Sequence, residues 1–283
     1  MNVERTHIKA QHLLITVLGD YWWCRPEPLP STGLIRVLAE FGVGSDGTRS
    51  ALSRLTRRGL LERSQQGRNT YYILTRQAIQ MLQVGAERLF DFGAEEQPWD
   101  GNWSLVAFSI SEQERTLRHF LRTRLRWLTF GSLYDGLWIS PHPRLAAAAR
   151  LLDELGISTA TLFSARMLPR STNGNGEDWL RVWDLESLCQ QYEAYIRQVQ
   201  PLLLRVREGR VEPPEAMLAR PHVMDAWRAF PGQDPDLPAE FLPADWPRNT
   251  ARSICMEVYE TLRPAAEQRF NELIETRYEI LQE

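Results

Sequence analysis

The sequence predicts an α+β protein of several domains: an N-terminal winged helix-turn-helix, a central ferredoxin-like α+β domain and an all-helical C-terminal domain. Three observations predict it. The 283 residues reach the upper limit of what one hydrophobic core usually holds. The first 75 residues combine three helical patterns with two short apolar strands, and from Asp184 onward the pattern is helical. The expected ranges are 1–75 for the winged helix, 76–98 for a connecting helix and linker, 99–183 for the central domain and 184–283 for the last domain.

The N-terminal range carries helix, turn and hairpin signals in a definite order. The expected helices are 8–22, a second one capped by Ser31 or Thr32, and a third one capped by Ser45 that ends near Arg58, with Gly59 as its stop. A proline-rich break at 25–30 separates the first two helices. Strands at 60–63 and 70–74 follow, joined by a polar loop at 64–69. This is the element order of a winged helix-turn-helix.

The rest of the chain alternates strands and helices before it becomes helical. Thr75 is expected to cap a connecting helix that runs to Phe92. The expected central elements are a strand at 103–110, a helix at 112–128, a strand at 136–140, a helix at 144–155, and strands near 159–163 and 180–183 that flank a loop at 171–177. This mixture favours a small ferredoxin-like domain. Two long helices, 185–207 and 251–281, are expected on either side of a proline-rich stretch at 213–247.

Composition excludes several classes of protein. Hydrophobic residues make up 43% and charged residues 24%, which excludes a disordered or collagen-like chain. The apolar runs are too short to cross a bilayer, and the first residues lack a secretory leader pattern. The three cysteines, Cys24, Cys189 and Cys255, are too far apart in sequence for a disulfide scaffold or a cysteine-based zinc site. We therefore expect a soluble, cytoplasmic protein without a membrane partner.

The charge of the chain is distributed unevenly. Residues 1–75 hold ten basic and six acidic side chains, whereas the remainder holds 23 basic and 30 acidic ones. Positions 43–70 contain six arginines against only Asp46 and Glu62. A basic head on an acidic body is typical of a DNA-binding domain. The alternative is a charged surface that is merely solvated.

The third helix gives the sharpest evidence for DNA binding. Thr48, Ala51, Leu52 and Leu55 share one apolar face, and polar residues with arginines share another. Arginine pairs with guanine in the major groove, while serine and threonine reach bases or phosphates. The alternative is an amphipathic helix whose arginines face solvent. The candidate DNA contacts, including two in the hairpin loop, are Thr48, Arg49, Ser50, Ser53, Arg54, Arg57, Arg68 and Asn69.

Several stretches resemble a known family. The sequences LLITVLGDYWW, STGLIRVLAEFGVGSDGTRSALSRLTRRGLLERSQQGRNTYYILT, LRTRLRWLTFGSLYDGLWISPHPR and LPADWPRNTAR are similar to the PaaX-type repressors of phenylacetic-acid degradation. The resemblance covers nearly the whole chain. It implies an N-terminal winged helix that binds double-stranded operator DNA, a middle domain like the ferredoxin-like subunit of CRISPR adaptation nucleases, and a helical C-terminal domain. It further implies a homodimer that an aryl-acyl-CoA such as phenylacetyl-CoA releases from DNA.

An enzyme of the same shape is the main rival interpretation. A metal-dependent nuclease needs a carboxylate at the end of its first strand. Here the strand ends in Ser109, Ile110 and Ser111, and Glu112 is better explained as a charge at a helix N-terminus. The five histidines are scattered, and no nucleophile, phosphate-loop or zinc-protease motif is present. We expect no catalytic residue, metal or cofactor; a nucleic-acid-processing enzyme and a DNA-binding scaffold without a ligand remain the alternatives.

An effector site and a dimer surface are harder to locate. Aromatic rings in the middle domain offer a stacking surface for an aryl group, and arginines offer partners for phosphates. The candidate effector residues are Arg124, Trp127, Tyr134, Trp138 and His142. Core packing for the tryptophans, and a turn for His142, are the alternatives. The expected dimer contacts lie in the last helix: Val258, Leu262, Phe270, Leu273 and Ile274.

Overall fold

The computed structural model describes residues 10–23, 25–94, 99–166 and 181–275. The chain divides into two compact units, and each unit is built from more than one stretch of the sequence. One unit draws on 1–89, 198–227 and 253–283, and the other on 90–197 and 228–252. The first unit therefore combines the N-terminal elements with helices from the end of the chain.

The N-terminal elements appear in the expected order with one addition. They are α1 (Ala10–Tyr21), β1 (Leu29–Pro30), α2 (Ser31–Glu40), α3 (Ser45–Arg57), β2 (Leu61–Gln66), β3 (Asn69–Leu74) and α4 (Arg76–Asp91). The additional strand β1 lies where the sequence predicted only a break. Its residues Leu29 and Pro30 pair with Tyr72 and Tyr71, so the sheet has the order β1-β3-β2. Pro30 is tolerated because β1 lies at the edge of the sheet.

The hairpin is tighter than the sequence predicted. Gln66 pairs with Asn69, so only Gly67 and Arg68 form the turn, and the expected six-residue loop was wrong. Gly67 has a left-handed φ of +61°, which a residue with a side chain rarely adopts. Residues 62–66 of β2 are exposed, so this strand has no alternation of apolar residues by which to recognise it.

Helix termini confirm some capping predictions and correct others. Ser31 is the first helical residue of α2, Gly44 precedes α3, and neither N-terminus has a side-chain cap. The predicted caps by Ser31, Thr32 and Ser45 were therefore wrong. Gly59 does end α3, with a φ of +69° and its N–H donating to Thr56 O at 2.9 Å. Thr75 does cap α4, since its Oγ1 accepts a hydrogen bond of 3.1 Å from Ala78 N.

The later helices are α7 (Leu185–Arg207), α8 (Pro213–Trp227), α9 (Arg248–Thr261) and α10 (Arg263–Glu275). The prediction for α7 is confirmed at both ends. The single expected helix at 251–281 is divided between α9 and α10 in the described part of the chain. The proline-rich stretch was misread, because α8 begins at Pro213, where a missing N–H costs nothing, and it accommodates Pro221.

The end of the chain helps to build the N-terminal unit. Arg36 Nε donates to Leu273 O at 2.8 Å, and Arg269 pairs with Glu40 at 2.6 Å, so α10 is fastened to α2. Gly33 of α2 lies so close to Ile274 that a Cβ there would meet its Cδ1 at 2.9 Å. The two helices therefore share one core.

A single buried arginine ties three helices of this unit together. The Arg220 side chain donates to Tyr259 O at 2.9 Å and to Asp20 O at 3.2 Å. Its guanidinium also lies 3.7 Å from the ring centroid of Tyr259. Arg220 is only 2% exposed, so its guanidinium group has lost its hydration, and these contacts take the place of hydrogen bonds to water.

The second unit contains a four-stranded antiparallel sheet. Its elements are β4 (Trp103–Phe108), a 3-10 turn (Glu112–Glu114), α5 (Arg115–Trp127), β5 (Gly131–Tyr134), β6 (Leu137–Ser140), α6 (Leu145–Glu154) and β7 (Ala160–Ala165). The sheet order is β5-β6-β4-β7. The resulting order, β-α-β-β-α-β, differs from the predicted β-α-β followed by α-β-β.

Two strand predictions in this unit were wrong. The strand β5 was missed, although the Asp135-Gly136 turn that joins it to β6 is a strong hairpin signal. The expected strand at 180–183 is not formed by residues 181–183, while Leu180 and the loop at 171–177 lie outside the described residues. Val182 and Trp183 instead pack against Gly131, where a Cβ would lie 2.5 Å from Val182 Cγ2.

Helices α5 and α6 contribute to the core of this unit together with the sheet. One cluster of its buried residues is formed by Val106, Phe108, Leu121, Leu125, Phe130, Trp138, Ala148, Leu151 and Leu152. Among the described residues of either unit, no helix is long and apolar enough to span a membrane.

Candidate nucleic-acid interface

Helix α3 separates its side chains into a buried and an exposed face. Thr48, Ala51, Leu52 and Leu55 are at most 1% exposed. The opposite face is open to solvent and forms a shallow depression of about 320 Å³. Five of the predicted contact residues line it: Arg49, Ser50, Ser53, Arg54 and Arg57. The structure therefore brings these five together on one surface.

Thr48 does not belong to that surface. It is fully buried, and its Oγ1 donates to Gly44 O at 3.1 Å within the first turn of the helix. Its side chain therefore cannot reach a nucleic acid without unpacking the helix, which corrects its inclusion among the candidate contacts. The spacing of Thr48 from Leu52 and Leu55 already indicated the buried face.

The arginines of the exposed face differ in how they are paired. Arg49 forms an exposed ion pair of 3.2 Å with Asp46. Within the described part of the chain, Arg54 and Arg57 form no ion pair, and both are exposed. Exposed ion pairs are worth little, so all three guanidinium groups are accessible to an anion. Planar guanidinium groups suit phosphate and guanine because they donate two parallel hydrogen bonds.

The β2–β3 hairpin adds two more of the predicted residues. Arg68 lies in the turn and Asn69 begins β3, and both are exposed. The base of the hairpin is held against the end of α3, because Leu60 N donates to Leu55 O at 3.0 Å and Thr75 Oγ1 donates to Gly59 O at 2.7 Å. The exposed turn is therefore carried by the same small unit as α3.

The predicted effector residues do not form one surface. Trp138 is 1% exposed and belongs to the core, with the Arg126 guanidinium 5.4 Å from its ring centroid. It offers no open face for stacking, which corrects its place in the predicted site. His142 Nε2 lies 2.9 Å from Pro235 O, which suits the alternative of a structural turn residue. Trp127 and Tyr134 are 63% and 70% exposed.

Two of the predicted effector residues, Arg124 and Trp127, share one face of α5 with Phe120. Phe120, Arg124 and Trp127 follow each other at helical spacing, and Phe120 is 48% exposed. The Arg124 guanidinium lies 5.8 Å from the centroid of the Phe120 ring and 3.5 Å from Glu154. Phe120 was not among the predicted effector residues. The spacing of 120, 124 and 127 is the signal that identifies this face.

Two other arginines of α5, Arg118 and Arg122, are engaged within their own unit. Arg118 donates to Ile110 O at 2.9 Å, and Arg122 donates to the carboxylate and backbone carbonyl of Asp135. These contacts hold both guanidinium groups within the unit, which favours a structural role for them over phosphate binding.

A metal site is not assembled in the described ranges. They contain no group of three or more side chains with metal-ligating atoms close together. Strand β4 ends at Phe108 and is followed by Ser109, Ile110 and Ser111, with Glu112 exposed at the start of a 3-10 turn. These residues do not place a carboxylate at the end of the strand.

Comparison with known proteins identifies the family. Family models described as PaaX-like protein, PaaX protein central Cas2-like domain and PaaX-like protein C-terminal domain match residues 9–78, 96–176 and 183–272. The chain belongs to the PaaX family. The Transcriptional repressor PaaX of Escherichia coli (strain K12) is 28% identical over 271 residues, which cover 93% of this chain and 84% of that protein.

A solved structure supports the same fold. The uncharacterized protein Rv0674 from Mycobacterium tuberculosis matches with a TM-score of 0.61 and 24% identity, over 94% of this chain and 98% of that one. The likeness concerns the fold: several domains of mixed α and β structure that end in helices.

Proposed function

We propose that the chain is a transcriptional repressor that binds double-stranded DNA through its N-terminal part, which acts as a winged helix-turn-helix. In this proposal α3 is the recognition helix and the β2–β3 hairpin is the wing. The exposed face of α3, with Arg49, Arg54 and Arg57 around two serines, is the observation that carries the proposal. The E. coli relative is named a transcriptional repressor, which supports the same function.

The proposed roles of the individual residues, base contacts for some and a phosphate contact for another, follow from side-chain chemistry. A major groove admits one helix, and an arginine in it distinguishes guanine by donating to O6 and N7. Arg54 and Arg57 are placed one turn apart on the exposed face for this purpose. Ser50 and Ser53 are short, so they let the helix backbone approach the groove. Arg68, at the exposed turn of the hairpin, is assigned to a phosphate, which contributes affinity without reading sequence.

We further propose that the target is a catabolic operon for an aromatic acid and that an aryl-acyl-CoA is the effector. The resemblance described above implies this ligand class. The face of α5 formed by Phe120, Arg124 and Trp127 supports it, because exposed rings stack on an aryl group and a guanidinium binds phosphate. This face takes the place of the buried Trp138 in the proposal.

One experiment tests the DNA-binding function and the enzyme alternative together. Duplexes selected by the full-length protein from a random library are incubated with it, with and without Mg²⁺ or Mn²⁺. The repressor proposal expects a mobility shift that competitor DNA does not abolish, with the duplex intact in every lane. The double variant Arg54→Ala/Arg57→Ala is expected to lose the shift. Metal-dependent cleavage of the duplex would support the nuclease alternative. If the protein selects no sequence from the library, that result contradicts the repressor proposal.

A further inference from the structure

Two acidic side chains occur among the six arginines of residues 43–70, and they lie in different places. Glu62 is on strand β2 and does not line the depression on α3. Asp46 is in the first turn of α3, and its side chain is 97% exposed. A carboxylate beside a DNA-binding face weakens binding to every sequence, because it repels the phosphates that dominate non-specific affinity. The position of Asp46 therefore needs a physical reason.

Asp46 lies on the same side of α3 as the residues that line the depression. Asp46, Ser50 and Ser53 follow each other at intervals of four and three residues, which return to one side of a helix. Ser50 and Ser53 both line the depression. The carboxylate thus faces the surface that the proposed function assigns to DNA, and the present inference rests on that proposed function.

The hydrogen bond that the structure gives Asp46 joins it to an arginine of that surface. Nη1 of Arg49 donates to Oδ1 of Asp46 at 3.2 Å, and the Arg49 side chain is 66% exposed. A guanidinium group carries five N–H donors in a rigid plane, so this contact leaves the others available to a second partner. Such an ion pair is worth little in water, but it becomes stronger when a bound duplex excludes water from it. Asp46 is therefore placed to hold Arg49 in one orientation.

The start of the helix offers a second explanation for Asp46. A negative charge in the first turn stabilises a helix through its dipole, and the N-cap of α3 is Gly44, which has no side chain to supply a cap. This explanation predicts a loss of stability when the charge is removed. It predicts no change in the base pair that the protein prefers, so experiment separates the two explanations.

We propose that Asp46 is a positioning residue for sequence recognition, which holds Arg49 in the orientation that donates two parallel hydrogen bonds to O6 and N7 of a guanine. A side chain that is oriented before binding loses less conformational freedom when it binds. The repulsion between the carboxylate and the phosphates is the same on every sequence, whereas the gain from an oriented Arg49 occurs only where guanine is present. Asp46 therefore lowers general affinity for DNA and raises selectivity at one base pair.

The proposal is tested by titrating the full-length protein against a duplex selected from a random library and against versions of it with single base substitutions. Asp46→Asn removes the charge and keeps the shape. We expect it to lower the preference for guanine at one base pair about tenfold, which is the discrimination that a bidentate arginine contact supplies. We also expect it to bind random-sequence duplex about two- to fivefold more tightly, because a repulsion is removed.

Two further variants separate the position of the carboxylate from its charge alone. Glu62→Gln is the matched control, because it removes the same charge from an exposed residue outside the depression, and it should keep every base preference. Asp46→Glu keeps the carboxylate and should retain most of the preference for guanine. Loss of that preference in Glu62→Gln as well would mean that net charge, and not the contact with Arg49, determines it.

A double-mutant cycle shows whether Asp46 acts through Arg49. Arg49→Ala should lose the preference at the same base pair, and the addition of Asp46→Asn should then change no preference further. If Asp46→Asn still alters a preference in the Arg49→Ala background, the carboxylate reads a base directly and the positioning role is wrong. Thermal unfolding of Asp46→Asn at a lower temperature with all base preferences unchanged would assign the residue to the helix N-terminus and also overturn the proposal.

The proposed function and the positioning role of Asp46 fail in different ways. If wild type selects no duplex from the library, the proposed function is contradicted. If wild type selects a sequence and Asp46→Asn shows the same preference at every base pair, DNA binding stands and the positioning role is contradicted.

Discussion

At the scale of single residues, the exposed guanidinium groups of α3 have the clearest consequences. Arg54 lines the depression on α3 and forms no ion pair within the described residues, so its donors are available to a base. We expect Arg54→Ala to cost about 1–3 kcal/mol of binding at one operator position and to relax selectivity there. Titration against operators with single base substitutions measures this. Arg58→Ala is the control, because Arg58 is exposed but does not line the depression. Unchanged selectivity in Arg54→Ala would show that α3 does not read bases.

Arg68 should behave differently because of where it lies. It is exposed in the turn of the hairpin and is assigned to the DNA backbone. Arg68→Ala is expected to weaken binding to all sequences about equally and to reduce the slope of log affinity against log salt by about one. Binding curves over a series of salt concentrations give the slope. A change confined to one base position would contradict this assignment.

The sequence correctly indicated which side chains of α3 are exposed and which are buried, because the helical period determines the face on which each one lies. The spacing of Ser50, Ser53, Arg54 and Arg57 placed them on one exposed face, and the same period placed Leu52 in the core. Side chains near a sheet were harder to assign. Trp138 lies in a short strand whose neighbours are also apolar, so the sequence did not show that its ring is covered. That information depends on contacts with helices distant in sequence.

At the scale of elements, the cap of α4 joins the hairpin to the helix that follows. Thr75 Oγ1 accepts from Ala78 N and donates to Gly59 O. Thr75→Ala removes both hydrogen bonds, so we expect it to lower the free energy of unfolding by about 1–2 kcal/mol. Chemical denaturation measures the loss, and Thr75→Ser, which keeps the hydroxyl, should retain most of the stability. Equal stability of the alanine variant would mean that water replaces both contacts.

Helices and strands were predictable where signals in the local sequence determine them. They were missed where an element forms only because a segment distant in sequence pairs with it. The bounds of α7 followed from its apolar period, and Gly59 marked the end of α3. The two-residue strand β1 forms only because β3 supplies its hydrogen bonds, so no local pattern reveals it. The helix α8 was hidden by its prolines. Pro213 and Pro214 lie in its first turn, where proline is accepted, but Pro221 lies inside the helix.

At the scale of the whole molecule, the proposed effector must act by linkage between two sites. A ligand that binds the DNA-free state about 3 kcal/mol more tightly would weaken operator binding roughly a hundredfold, and DNA would weaken the ligand equally. We expect phenylacetyl-CoA or a related thioester to abolish the operator shift. Trp127→Ala should reduce this response and leave DNA affinity in place, because Trp127 is an exposed residue of α5.

Calorimetry against several acyl-CoA thioesters measures the binding directly, with free CoA and phenylacetic acid as controls. Tyr134→Ala is a second control, because Tyr134 is as exposed as Trp127 but lies outside the face of Phe120, Arg124 and Trp127. If Trp127→Ala binds the thioesters with the same heat as wild type, this face of α5 is excluded as the effector site. The absence of heat from every thioester would exclude the effector and leave the DNA-binding proposal intact.

The attachment of α10 to α2 also determines when the protein becomes complete during its synthesis. Arg36 and Leu273, which bond across these helices, are 237 residues apart along the chain. A ribosome adding about 5–20 residues per second needs roughly 10–50 s to cover that distance. During this interval α2 is already made but lacks the helix that covers Gly33. A chain released before α10 is made would therefore leave the face of α2 around Gly33 uncovered, and such a fragment is a target for chaperones and proteases.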